Sequence, residues 1–356
     1  MKRQCALIVA VGIALLQSGC ATYDRQGLDA ARAQAAERQI VLPTALLSPE
    51  LERKILALNP DAVSEKDIQD VLSHAVAPRN INIHGGIYPV HRQMISFSQF
   101  LIGMGYPAVS IRNPSDGTWT FSCYEDTDKI AGMIAWYYEK EGLRPMMIGH
   151  SQGGMQVVRI LDKFADTSSN ELEVWNPLTW KSESRHEITD PLTGLIRPVA
   201  GLQLPYGAAM GSGGLTRLLP NQWDMNFRLR TIPDSVEEFT GFYKGMDLLG
   251  GDWLGYGEMN HFQASGHAMV RNVRLPTRDR HGKTPATDHL LKSQQIKDWI
   301  NKYKPVATPN EDVDVQFDSN SDHILFAADV WFSVKKHWVL ELQRLIRARR
   351  SLNPAH

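Results

Sequence analysis

The sequence predicts an α/β fold: a mostly parallel central sheet with helices on both faces, a lid or cap insertion and a C-terminal helix. Three observations carry that expectation. From Arg79 onward, short apolar runs alternate with stretches of i, i+3, i+4, i+7 spacing, the cadence of strand–helix units around a parallel sheet. One serine, Ser151, stands between glycines directly after an apolar run. The composition is that of a globular chain: 356 residues, 43% hydrophobic and 22% charged, which excludes a disordered chain and a multi-span membrane protein. Lys plus Arg (38) nearly balances Asp plus Glu (39), so no global field favours nucleic acid.

The chain opens "MKRQCALIVAVGIALLQSGCATYD": basic Lys2 and Arg3, an apolar stretch over residues 6–16, then small residues. That pattern is a secretory signal over residues 1–19, with an apolar stretch too short to span a bilayer. "LLQSGC" resembles the lipobox of bacterial lipoproteins, although Gln17 stands where leucine is preferred and Leu16 comes one step earlier. The resemblance implies that Cys20 is lipidated and becomes the new N-terminus, anchoring the protein to the cell envelope. Ala21 after it resembles outer-membrane sorting in Gram-negative bacteria. The alternative is simple signal removal and a soluble product. With Cys5 in the signal and Cys20 under lipid, Cys123 is left alone, so no internal disulfide is expected.

Residues 20–78 read as a polar tether followed by helices. Ser48-Pro49 is an N-cap and N1 pair. Ser64-x-x-Asp67 is a capping box before Ile68, Val71, Leu72 and Ala75. Residues 79–304 carry the alternating pattern. "NINIH" is the first strand, and Met94, Phe97 and Leu101 mark a helix. "PAVSIRN" reads as the second strand, with a helix at Ile130, Met133, Ile134 and Tyr137 after it. "PMMIG" is the third strand, and Val157, Ile160, Leu161 and Phe164 share a helix face beyond it. "PVAGLQL" reads as the fourth strand. Periodicity then lapses over about residues 205–235, which contain "GAAMGSGG" and several aromatics; this is the expected lid. "EEFTGFYKGMD" and "AMVRNVRLP" are the last strands, followed by a helix at Ile296, Trp299, Ile300 and Tyr303. Residues 305–356 form an extension whose final amphipathic helix uses Trp331, Val334, Trp338, Leu342 and Leu345.

The pentapeptide Gly149-His150-Ser151-Gln152-Gly153 fits G-x-S-x-G between a strand and a helix. A serine hydroxyl is a poor nucleophile until a base takes its proton and donors stabilise the oxyanion. A sharp strand-to-helix turn lifts Oγ above the sheet edge, and glycines keep the neighbouring backbone from colliding.

"IGHSQGG", supported by "NIHGG", resembles the α/β-hydrolase superfamily, specifically its lipase and esterase branches, over roughly residues 79–304. The resemblance implies acyl chemistry at Ser151, with oxyanion donors at the backbone N–H groups of Gly86, in His84-Gly85-Gly86, and of Gln152. It further implies an acid after the post-lid strand and a histidine before the following helix. Asp247 fits the first position, with Asp252 and Asp234 as competitors. His289 fits the second, with His261, His267, His281 and His323 as alternatives. Relatives that open epoxides or displace halide need a carboxylate where Ser151 stands, so acyl transfer is what remains. The expected activity is a carboxylesterase or lipase acting on a hydrophobic ester through a Ser-His-Asp triad and an acyl-enzyme, with no cofactor. An acyltransferase with the same triad, or a non-catalytic envelope lipoprotein using the fold as a binding module, are the alternatives. No metal site is expected, since His261 and His267 are six apart, neither a helical i+4 pair nor a zinc spacing.

Overall fold

The computed structural model describes residues 25–352 apart from 46, 87, 169–170, 213–227, 246, 248, 252–259, 277–282 and 306–320. The expected signal, Cys20, Asp252, His281 and much of the expected lid therefore lie outside the described residues. After Arg25 come α1 (Ala30–Ala45), α2 (Pro49–Ala57) and α3 (Glu65–Asp70). Ser48 caps α2 with Pro49 at its first turn, and Ser64 and Asp67 close the capping box on α3.

The sheet is built from β1 (Asn80–His84), β2 (Phe121–Ser122) and β3 (Met146–His150), with helices α4 (Tyr88–Gly103) and α5 (Thr127–Glu141) between them. Helix α6 (Gln152–Ala165) follows β3. Two small antiparallel hairpins come next: β4 (Trp175–Asn176) with β5 (Lys181–Ser182), and β6 (Glu187–Thr189) with β7 (Ile196–Pro198). The sheet resumes with β8 (Leu204–Met210). Beyond it, β9 (Thr231–Ile232) precedes β10 (Val236–Lys244), and β11 (Gln263–Ala264) precedes β12 (Met269–Leu275). Strands β9 and β11 pair only with each other. The six-stranded sheet runs β12-β10-β8-β3-β1-β2, every neighbour parallel. Helices α7 (Gln294–Lys302) and α8 (Ser321–Leu352) complete the described chain.

Both faces of the sheet are apolar, as a doubly covered parallel sheet requires. Along β3, Met146 and Ile148 join the core under α4 and α8, while Met147 joins the core under α5 and α6. In β8, Tyr206, Ala208 and Met210 face the first core and Ala209 the second. The C-terminal helix is part of this core. Trp331, Val334, Trp338, Leu342 and Leu345 are all buried, and the buried Glu341 carboxylate takes N–H donors from both the backbone and the guanidinium of Arg144.

Two strands differ from the expectation. Around "PAVSIRN" the chain makes a 3-10 turn over Ala108–Ser110, held by the Ser110 hydroxyl donating to the Ala77 carbonyl. Pro107 presets the turn and Val109 is 73% exposed, so of the apolar side chains in this stretch only Ile111 is buried in the core. The edge position goes to the short β2, with Phe121 opposite Ile83. The fourth strand is likewise displaced: Ile196–Pro198 closes a hairpin, Gly201 turns the chain with φ of 84°, and the strand is Leu204–Met210. All seven of its residues are buried, so the first part of the expected lid is central sheet. In "PVAGLQLPYGAAM" apolar residues continue on both sides of the single polar Gln203, so the apolar run by itself does not fix the strand's start.

Candidate active site

Ser151 sits at the junction of β3 and α6. Its N–H donates to the Met210 carbonyl at 2.8 Å, the last tie to β8 before the chain turns. Its backbone adopts φ 56° and ψ −125°, a conformation that costs a non-glycine residue about 1–3 kcal/mol and persists only where the surroundings enforce it. They do so here through close backbone contacts. A Cβ on Gly149 would collide with the Gly153 carbonyl, and one on Gly153 with the Ile83 carbonyl of β1. The helix can begin within one residue of the strand's end only because both positions lack side chains.

The end of β1 passes beside the serine. A Cβ on Gly85 would lie 2.8 Å from Ser151 Cβ, which puts the Gly85 backbone against Ser151. Two side chains hold its peptide units. His84 Nδ1 lies 2.8 Å from the Gly85 carbonyl oxygen, so the Nδ1–H tautomer donates to it. The Tyr124 hydroxyl donates to the Gly86 carbonyl at 3.3 Å. Because the Gly85 carbonyl and the Gly86 N–H belong to one trans peptide, fixing the oxygen fixes the direction of the N–H. The room a side chain at Gly86 would need is filled by the Gln152 amide and the Tyr124 hydroxyl. Gln152 also opens α6, where N–H groups lack intrahelical acceptors and the dipole favours negative charge.

Burial pushes the His84 imidazolium down to about 4, with His91, its ring 4.6 Å away, adding to the effect. His84 is thus neutral at pH 7 and keeps a single ring N–H for Gly85.

Asp247 lies three residues beyond β10, at the same C-terminal edge of the sheet as Ser151. It shares a small cavity with His150, Met210, Tyr243, Lys244 and Thr284, and its Oδ1 accepts the Gly250 N–H at 2.9 Å. Asn260 braces this edge: its side chain accepts from the Ser212 N–H and donates to the Gly250 carbonyl. Ser212 in turn packs on Gly154 of α6, where an added Cβ would come within 2.7 Å of it.

The remaining candidates are distributed differently. Asp234 precedes β10 and therefore occupies the opposite edge, where it accepts the N–H groups of His267 and Ala268. His289 belongs to a 3-10 turn over Asp288–Lys292. That turn is tied to the middle of α4 by Ser96 and Asp288. The His289 ring packs 5.4 Å from His323, whose Nδ1 lies 2.8 Å from the Ala286 carbonyl. Burial lowers the His289 pKa, and His323 adds to the effect. Its Nε2 has no partner among the described residues. The described contacts thus join Ser151 with Gly85, and Gly86 with Gln152 and Tyr124, and Asp247 is on the same edge. None of them links His289 to Ser151 or Asp247. His261 stacks edge-on against Tyr243 at 5.9 Å.

Tyr124 escaped the sequence reading because nothing local marks it: it comes 38 residues after Gly86, just beyond the two-residue β2. His84 was visible only as the first member of His-Gly-Gly, not as the residue that orients the glycines. No protein-family model matches this chain, and no curated protein matches it.

Proposed function

We propose that the protein is a serine acyl hydrolase, a carboxylesterase or lipase-like enzyme of the α/β-hydrolase type. The observation that carries the reading is the strained turn at Ser151, enforced by glycines that leave no room for any side chain, at the end of a central parallel strand. Strain of this kind is kept where it presents a reactive atom. The sheet order and the Gly85-Gly86 backbone beside the serine are compatible with that family.

In this reading the base takes the proton from Ser151 Oγ as Oγ bonds to the ester carbonyl carbon. The carbonyl becomes an oxyanion that accepts from the Gly86 and Gln152 N–H groups. Collapse breaks the bond to the alkoxy group, which leaves with the base's proton as an alcohol. Water then repeats the cycle on the acyl-enzyme, releasing the acid and restoring Ser151. Asp247 orients the base and stabilises its cationic form. His289 serves as the base, and its lowered pKa keeps it neutral and able to accept at pH 7. A second reading gives that role to His281, because Thr284, three residues after it, lines the cavity that holds Asp247.

The substrate is a hydrophobic ester, and the enzyme works at the cell envelope, held through lipid on Cys20, on the outer membrane of a Gram-negative bacterium. The test is hydrolysis of a p-nitrophenyl ester series by wild type, Ser151→Ala, His289→Ala and His281→Ala. Turnover lost in Ser151→Ala and in one histidine variant supports the triad and identifies its base. Turnover unchanged in Ser151→Ala overturns the reading.

A further inference from the structure

A large cavity lies at the sheet edge opposite Ser151. It measures about 740 Å³, is open to solvent on one side, and is lined by α1, the turn at 72–77, the loop at 107–117 and the end of α5. That is within the range of ligand pockets, typically about 300–1,000 Å³, and far larger than a packing defect. One wall is apolar, with Ile40, Val76, Pro107 and Leu143 among its residues.

The charges around it are unevenly spent. The two lining carboxylates are each committed: Asp116 pairs with Arg25 at 2.6 Å, and Glu141 with Arg79 at 2.7 Å. Arg112, also in the lining, has no carboxylate partner among the described residues. Only its Nε makes a hydrogen bond there, to the Gly117 carbonyl at 3.0 Å, while its guanidinium lies over the Trp119 ring. Next to it, Asn113 is 2% exposed. Its Oδ1 accepts from the Ser115 N–H and hydroxyl, and its amide nitrogen has no partner among the described residues. An uncommitted cation thus lines a partly apolar cavity, beside a buried N–H donor that has no partner among the described residues.

We propose that this cavity is a second ligand site, binding a monocarboxylate with an aliphatic tail: the carboxylate meets the exposed Arg112 beside Asn113, and the tail lies along the apolar lining residues. The proposal does not depend on the activity at Ser151.

The test is calorimetry with decanoate, below its micelle concentration, on purified protein carrying Ser151→Ala, with decanol as the uncharged control. Saturable binding of decanoate is expected, and decanol should bind about tenfold or more weakly, because a charge-assisted hydrogen bond is lost. Asn113→Asp keeps the acceptor for Ser115 but faces the carboxylate with like charge, and Arg112→Glu reverses the exposed cation. Each should weaken decanoate about tenfold or more. The Arg112 variant decides the matter if the Asn113 variant misfolds, because Arg112 is on the surface. Absence of saturable binding, equal affinity for decanol, or wild-type affinity in Arg112→Glu overturns the proposal.

Discussion

His84 joins two roles at the residue scale. Its imidazole orients the Gly85 carbonyl, and its burial holds the pKa near 4 against an ordinary 6.5. Between those values the unfolded chain binds a proton that the folded one does not. Stability therefore rises with pH through this window, and about 3 kcal/mol is lost as pH falls from 6.5 to 4. His84→Asn removes the titration and retains a side-chain N–H at nearly the position of Nδ1. Urea unfolding at pH 7.5 and pH 4.5 should show a smaller pH difference in the variant than in wild type. His84→Leu, which has no donor, should lower kcat of ester hydrolysis about tenfold or more with KM little changed, while His84→Asn retains most of it. Gly153→Ala drives a methyl into the Ile83 carbonyl. It should destabilise by about 3 kcal/mol and abolish turnover, as thermal melts and ester assays would show. Local pattern made Ser151 and its glycines legible, because a turn's demands are written within five residues. The partners of Gly86 were not, since Tyr124 reaches it only through the folded chain.

At the scale of elements, the sequence is most informative where one periodicity persists. The apolar stripe on α8 was read correctly residue by residue, and so were β1, β3, β10 and β12. What the stripe conceals is the helix's second buried face, where Asp329 pairs with Arg271 at 2.6 Å and Glu341 with Arg144 at 2.7 Å. Those partners lie 58 and 197 residues away, beyond any window of local spacing. Removing Glu341 leaves the buried Arg144 guanidinium with only the partly exposed Glu237, 2.7 Å away, as its carboxylate partner. Glu341→Ala should therefore cost about 3 kcal/mol or more, read as a lower midpoint in urea with secondary structure retained. Strands β2 and β8 were misjudged for one shared reason: an apolar run shows that a segment can be buried, not where it enters the sheet.

The parallel sheet gives the whole molecule two unlike ends. Every strand of it delivers its C-terminus to one edge, where Ser151, Gly86 and Asp247 gather, while Asp234 and the cavity by Arg112 are at the other. Chain position alone left Asp247, Asp252 and Asp234 as competing acids; topology puts Asp247 and Asp234 at opposite edges, because one follows β10 and the other precedes it. Asp247→Asn should reduce kcat by up to about 10⁴, whereas Asp234→Asn should leave kcat unchanged and lower only stability. Parallel kinetics and melts on the two variants would check this.

Labelling by a fluorophosphonate probe tests whether Ser151 is an activated nucleophile. Folded wild-type protein should take one label, mapping to Ser151, and Ser151→Ala should take none. A folded wild type that stays unlabelled, or a label equally strong in Ser151→Ala, would contradict it.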